Sequence, residues 1–183
     1  MKLTLLGVDP GVRDTGAVAL VLDPATRQLE VITRVWSGVI QRDGFSVSID
    51  EAFLNDLARF ERGLRGDGPV LSGVEGYRPR GKNSRQDEEM TQLVQNVRAT
   101  LPHCRIIDNT GIKDVVTQDL LQLFWVSRFK QATNHADLKS AARVALKIGI
   151  DGEATNILLS DYVRDNVFGG ADKQWSLVSS PTQ

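Results

Sequence analysis

The chain has 183 residues, 41% hydrophobic and 25% charged, enough for one well-cored domain with a small extension. Its net charge of −1 excludes no partner class by itself, because nucleic-acid binding depends on where positive charge sits rather than on its sum. The lone Cys104 excludes an internal disulfide and no apolar run approaches the ~18 residues of a membrane span, so a soluble protein of a reducing, cytoplasmic compartment is expected.

The opening MKLTLLGVD lacks the small-residue cleavage site of a secretion signal. Lys2 to Asp9 reads as a buried strand and Gly16 to Asp23 as a second, with the turn DPGVRDTG between them. DPATRQ then reverses the chain into LEVITRVWSGVI, a third strand rich in β-branched residues, and the short connections predict an antiparallel meander. In EAFLNDLARFERGL, Phe53, Leu57, Phe60 and Leu64 recur at helical spacing and Gly66 closes the helix. Pro69 to Glu75, PVLSGVE, is a short fourth strand. Ser84 and Asp87 fit a capping box that opens a helix with Met90, Leu93, Val94, Val97 and Leu101 on one face, ended by Pro102. HCRIID gives a fifth strand and GIKDVVTQDLLQLFWVSRF a helix apolar on most sides. In HADLKSAARVAL, Leu138, Ala141, Ala142, Ala145 and Leu146 make an amphipathic helix with a small-residue face suited to close packing on a sheet. TNILLSDYVRDNVF is a last helix, closed by Gly169 and Gly170, and ADKQWSLVSSPTQ reads as a tail. The order predicts one α/β domain over residues 1–170 and a tail over 171–183. The domain would carry a five-stranded mixed sheet, its first three strands antiparallel, flanked by helices.

Strands one and four finish on the carboxylates Asp9 and Glu75. If strands one and four lie side by side and parallel, Asp9 and Glu75 are neighbours, and two carboxylates held that closely repel unless a cation neutralises them or one keeps its proton. A hard divalent ion such as Mg²⁺, usually held by one or two carboxylates plus phosphates, is the economical solution. For Asp9 alone, a turn-initiating side chain before Pro-Gly explains the residue equally well. Glu75 has no such turn role, and burying it unpaired costs several kcal/mol, roughly, so it is exposed or liganded. The flanking Gly73 and Gly76 leave room for a ligand backbone. Directly after Glu75, YRPRGKNSRQ carries Arg78, Arg80, Lys82 and Arg85 without an acid, which fits a solvated loop or a phosphate-binding one.

LLGVDPGVRDTGAVAL resembles the first two strands of the RuvC family of Holliday junction resolvases, in the RNase H-like superfamily. VEGYRPRG is similar to that family's second motif, a strand ending in a catalytic glutamate. IIDNTGIKDVVT resembles its fifth strand with a following lysine, here Lys113, and HADLKSAARVAL its carboxylate-bearing helix; the likeness spans about residues 2 to 150. The size and the divergent end are closer to phage-encoded members, which would work in a bacterial host cytoplasm. The resemblance implies an RNase H-like fold and two Mg²⁺ or Mn²⁺ ions per site, with Asp9, Glu75 and Asp137 as catalytic metal ligands. Relatives of that family place two acidic residues, or a histidine and an acid, three apart at the start of the carboxylate-bearing helix, facing the sheet. Here Asp137 pairs with Ser140 in one register and with Asn134 in the other, and neither partner is acidic. His135 is a further catalytic candidate, as ligand or base, while Asn134 as N-cap with Asp137 in the first turn is the purely structural reading.

The same resemblance implies phosphate contacts from Arg78, Arg80, Lys82, Arg85 and Lys113, with Tyr77 able to stack on an unpaired base. It also implies a homodimer that presents two sites to a four-way DNA junction and nicks it symmetrically, with no membrane partner. The helix from Ser84 to Leu101 is a candidate for that interface, although its apolar stripe is equally well explained by core packing. Two other classes remain open: a junction-binding protein whose site is impaired by the missing fourth acid, and an actin-like ATPase, for which no second phosphate hairpin is found in the sequence. A flap nuclease or an RNA-cutting relative of the same fold would read alike.

Overall fold

Continuous apolar runs, buried on both faces, and two short turns dictate the first half of the sheet. The computed structural model describes residues 1–44, 46–66, 68–79, 84–126 and 136–178. Strands β1 (Leu3–Asp9), β2 (Asp14–Asp23) and β3 (Gln28–Ser37) form the expected antiparallel meander, paired from Leu3 with Leu22 to Asp9 with Gly16 and from Asp14 with Ser37 to Asp23 with Gln28. Crossovers through helices α1 (Glu51–Leu64) and α2 (Arg85–Thr100) then return β6 (Val70–Glu75) beside β1 and β7 (Arg105–Ile107) beside β6, both parallel. The sheet order is β7-β6-β1-β2-β3, with one further strand beside β3.

The sheet has six strands rather than the five expected. The added strand β8 (Ser176–Val178) comes from the segment read as a tail and pairs in parallel with Gln28 to Glu30 of β3. Trp175 explains why this segment joins the fold: it is buried and packs edge-on against Tyr162 at 5.1 Å, which stacks on Phe124 at 4.3 Å and donates its hydroxyl to the Leu123 carbonyl at 2.6 Å. The third strand is shorter than expected, because Gly38 adopts φ +69° and turns the chain. Beyond it lies a separate hairpin of β4 (Ile40–Asp43) and β5 (Ser46–Ile49). Arg42 ties that hairpin to the buried Glu89 of α2 by two hydrogen bonds of 2.7 and 3.0 Å.

The long helix expected over residues 111–129 is two short ones, α3 (Ile112–Val115) and α4 (Gln118–Leu123). Val116 leaves helical geometry, and the Thr117 hydroxyl caps the new start by accepting from Leu120 N at 3.3 Å. Residues 127–129 of that expected helix lie outside the described residues. Helix α5 (Ala136–Asp151) extends beyond the expected end at Leu146, and α6 (Glu153–Phe168) follows at once. The predicted capping box of α2 is present, with Asp87 N donating to Ser84 Oγ at 3.2 Å and Ser84 N to Asp87 Oδ2 at 3.3 Å.

Two apolar cores result, one on each face of the sheet. Leu5, Val18 and Leu20 meet the helices from α3 to α6 on one face; Leu6, Val8, Ala17 and Val74 meet α1, α2 and the hairpin on the other. Leu93 and Val97 of α2 and Leu101 just after it are fully buried in the second core, so core packing accounts for these positions of the apolar stripe. Among the described residues no helix is long and apolar enough to cross a membrane.

Candidate functional site

Strands β1 and β6 run parallel in register, Gly7 beside Gly73 and Val8 beside Val74, and both end one residue later, at Asp9 and Glu75. Because side chains alternate along a strand, Asp9 shares a face with Gly7, and Glu75 with Gly73. That face is the one covered by α5: a Cβ on Gly7 would lie 2.0 Å from the Ala141 carbonyl oxygen, and one on Gly73 would lie 2.4 Å from Ile148 Cδ1. Both acids therefore stand at the rim of the sheet, on the α5 side.

Glycines also decide how low α5 sits. Gly16, the pairing partner of Asp9, faces the first turn of α5 so closely that a Cβ there would lie 3.0 Å from the Asp137 carbonyl carbon. With Ala141, Ala142 and Ala145 fully buried below, the helix rests on strand backbone and brings Asp137 within electrostatic reach of Asp9. The room beside Glu75 is used in a different way from that expected. Ile148 occupies the space over Gly73 and Ile106 that over Gly76, so these glycines serve packing rather than the approach of a ligand.

Asp9 and Glu75 share a side-chain hydrogen bond, Ser140 hydrogen-bonds to Asp9 from one turn beyond Asp137, and Asp137 acts on Asp9 through its charge. Burial, then the charge of Glu75 and its hydrogen bond, then the charge of Asp137, push the Asp9 carboxyl up from 3.8 to about 9, and the Ser140 bond opposes them. The protonated form of Asp9 is thereby favoured beside Glu75. Among the described residues no three acidic, histidine or cysteine side chains stand as a ready set of ligands around one point.

Asn109, which sequence reasoning missed, donates its side-chain amide to Glu75 Oε1 at 3.0 Å. It sits in DNTG after the fifth strand, a stretch whose composition signals only a turn.

The basic residues divide into groups. Arg78 is paired with Asp108, and Arg85 donates to the Gly44 carbonyl at 3.2 Å and lies 3.4 Å from Glu89, so a phosphate would compete with existing partners for either. Lys113 is exposed on α3. Arg80, Lys82, Asn134 and His135 lie outside the described residues. Tyr77 is committed as well, donating its hydroxyl to Asp87 within the α2 capping box and tying the segment after Glu75 to that helix. Tyr77→Phe is expected to lower stability in urea by about 1 kcal/mol, the worth of one such hydrogen bond. A role confined to stacking on a base would leave the urea midpoint unchanged.

A mixed sheet with an antiparallel β1–β3 meander, parallel additions on the β1 edge and helices on both faces defines the RNase H-like class of α/β folds. More particularly, the fold is that of RuvC. The structure matches Thermus thermophilus RuvC in complex with Holliday junction substrate with a TM-score of 0.54 and 15% identity, over 87% of this chain and 96% of that one. A second Thermus thermophilus RuvC structure matches with a TM-score of 0.52 and 15% identity, over 87% and 97% of the two chains. A Fowlpox virus resolvase in complex with Holliday junction DNA matches more loosely, with a TM-score of 0.35 and 11% identity over 87% and 99%. No protein-family model matches the sequence, and no curated protein matches it.

Proposed function

We propose that this chain is a metal-dependent endonuclease that cuts phosphodiesters in branched DNA, resolving four-way junctions by paired nicks from a two-fold dimer. The observation that carries this reading is the pair of carboxylates, Asp9 and Glu75, that the parallel strands β1 and β6 bring together at one rim of the sheet, with the charge of Asp137 acting on Asp9. Their donors are all hard carboxylate oxygens, the set suited to Mg²⁺ or Mn²⁺ rather than to softer ions, and the mutual repulsion at Asp9 is what a divalent ion relieves. The RuvC fold, seen with Holliday junction substrate in the Thermus protein, supports the choice of branched DNA.

Asp9, Glu75 and Asp137 would hold the ions. When bound, two such ions polarise the phosphate and supply a hydroxide-like nucleophile at neutral pH. The chain's own groups position the parts: Ser140 would orient Asp9, and Lys113 with Arg78, Arg80, Lys82 and Arg85 would take up backbone phosphates without reading sequence. His135 is kept as a candidate base or ligand.

The absence of an acid at either Ser140 or Asn134, the two positions three residues from Asp137, favours one second reading, a junction-binding protein with an impaired site. Synthetic four-way junctions, flaps, linear duplexes and RNA–DNA hybrids, incubated with Mg²⁺ or Mn²⁺, separate the two. Paired symmetric nicks in the junction are expected, lost in Glu75→Gln while junction binding survives. Binding that persists with no cleavage in either ion would establish the second reading instead.

A further inference from the structure

We infer that Asn109 is a positioning residue of this site, holding one oxygen of Glu75 so that the carboxylate presents a fixed orientation to a divalent ion; this rests on the reading of Glu75 as a ligand. The geometry around it is built. The ends of β6 and β7 are zipped together past their last paired residues, with Gly76 N donating to the Ile107 carbonyl at 2.8 Å and Arg78 paired with Asp108. The turn that follows is held from within: Thr110 N donates to Asp108 Oδ1 at 2.9 Å, Ile112 N to the Asn109 carbonyl at 3.2 Å, and Gly111 takes φ +70° to close it. Asn109 is thereby offered to Glu75 from a backbone fixed on both sides, and its amide reaches Oε1 at 3.0 Å. A carboxylate only accepts, so it is the NH₂ end of the amide that faces it.

The hydrogen bond lies between groups open to solvent, where it adds little to folding stability. Its value lies in orientation. Ligand carboxylates are themselves held by outer hydrogen bonds, and loss of such a partner weakens metal binding or activity about 10–100-fold. Asn109→Ala removes the donor, while Asn109→Asp keeps the shape and sets a like charge against Glu75.

The test measures Mn²⁺ affinity of the DNA-free protein by calorimetry, with thermal unfolding alongside, for the parent, Asn109→Ala, Asn109→Asp and Glu75→Gln. We expect Mn²⁺ binding to weaken about 10–100-fold in Asn109→Ala, with Tm moving by less than about 4 °C. The Mn²⁺ concentration for half-maximal nicking should rise in parallel, the lost rate returning as the ion is raised. If Glu75→Gln loses Mn²⁺ binding but Asn109→Ala keeps the parent's affinity, the inference fails and the site reading stands. A Tm that collapses in both Asn109 variants makes the residue structural and also overturns it. If the parent binds no Mn²⁺, the reading of Glu75 falls and takes the inference with it.

Discussion

Asp9→Asn is expected to reduce junction cleavage by about 10³-fold or more, the scale on which a single preorganised charge-stabilising group acts, while junction affinity is kept. The same substitution is expected to stabilise the ion-free protein at mildly alkaline pH. The Asp9 carboxyl is pushed up from 3.8 to about 9 in the folded state, chiefly by burial and then by Glu75. Between those two values the native chain holds a proton that the unfolded chain has released. The contribution of this group to stability is therefore fully present below about pH 4 and drains away as pH rises towards about 9. Asparagine does not ionise and escapes the loss. The Tm advantage of Asp9→Asn over the parent should be absent near about pH 4 and largest above about pH 8, in a buffer with chelator. Adding Mn²⁺ at the higher pH should raise the Tm of the parent and not that of the variant. Identical pH profiles for the two proteins would show that Asp9 is not held among acids at all.

Gly7→Ala carries the second large effect, although alanine adds one methyl group. A Cβ at Gly7 would lie 2.0 Å from the Ala141 carbonyl oxygen and 2.5 Å from the Ala145 nitrogen, both backbone atoms of α5. A side chain could turn aside, but the backbone of a helix buried in a core cannot. The helix must lift or β1 must bend, and overpacking of this kind costs about 3 kcal/mol, the upper part of its usual range. Lifting α5 also carries Asp137 away from Asp9. Loss of about 3 kcal/mol in urea together with loss of nicking is expected. Gly63→Ala is the control, since the space beside it is open. A Gly7→Ala protein with parental stability and activity would mean that α5 does not rest on the strand.

The sequence carried the centre of the molecule and lost its periphery for identifiable reasons. Strands β1, β2 and β6 announce themselves by apolar runs bounded by turn residues, and α2 by its capping box. The small-residue face of α5 is readable because close packing on a sheet demands it, and that packing sets Asp137 within electrostatic reach of Asp9. The hairpin at Ile40–Ile49 was hidden because Gly38 breaks what reads as one apolar stretch. Strand β8 has three residues and no pattern of its own; only its partner β3 and buried Trp175 make it a strand. In the site, Asp9 and Glu75 were legible as acids ending apolar strands, whereas Asn109 was not. Its partner Glu75 lies 34 positions back, and an asparagine in a turn needs no other explanation.

The pairing of β8 with β3 joins residues 176–178 to residues 28–30, so it spans nearly the whole described length of the chain. On the ribosome the β1–β3 meander can assemble from local contacts as soon as it emerges, but the outer border of β3 must wait, unpaired at that end, while every helix is made. A nascent chain stalled before residue 176 would expose that border to other chains.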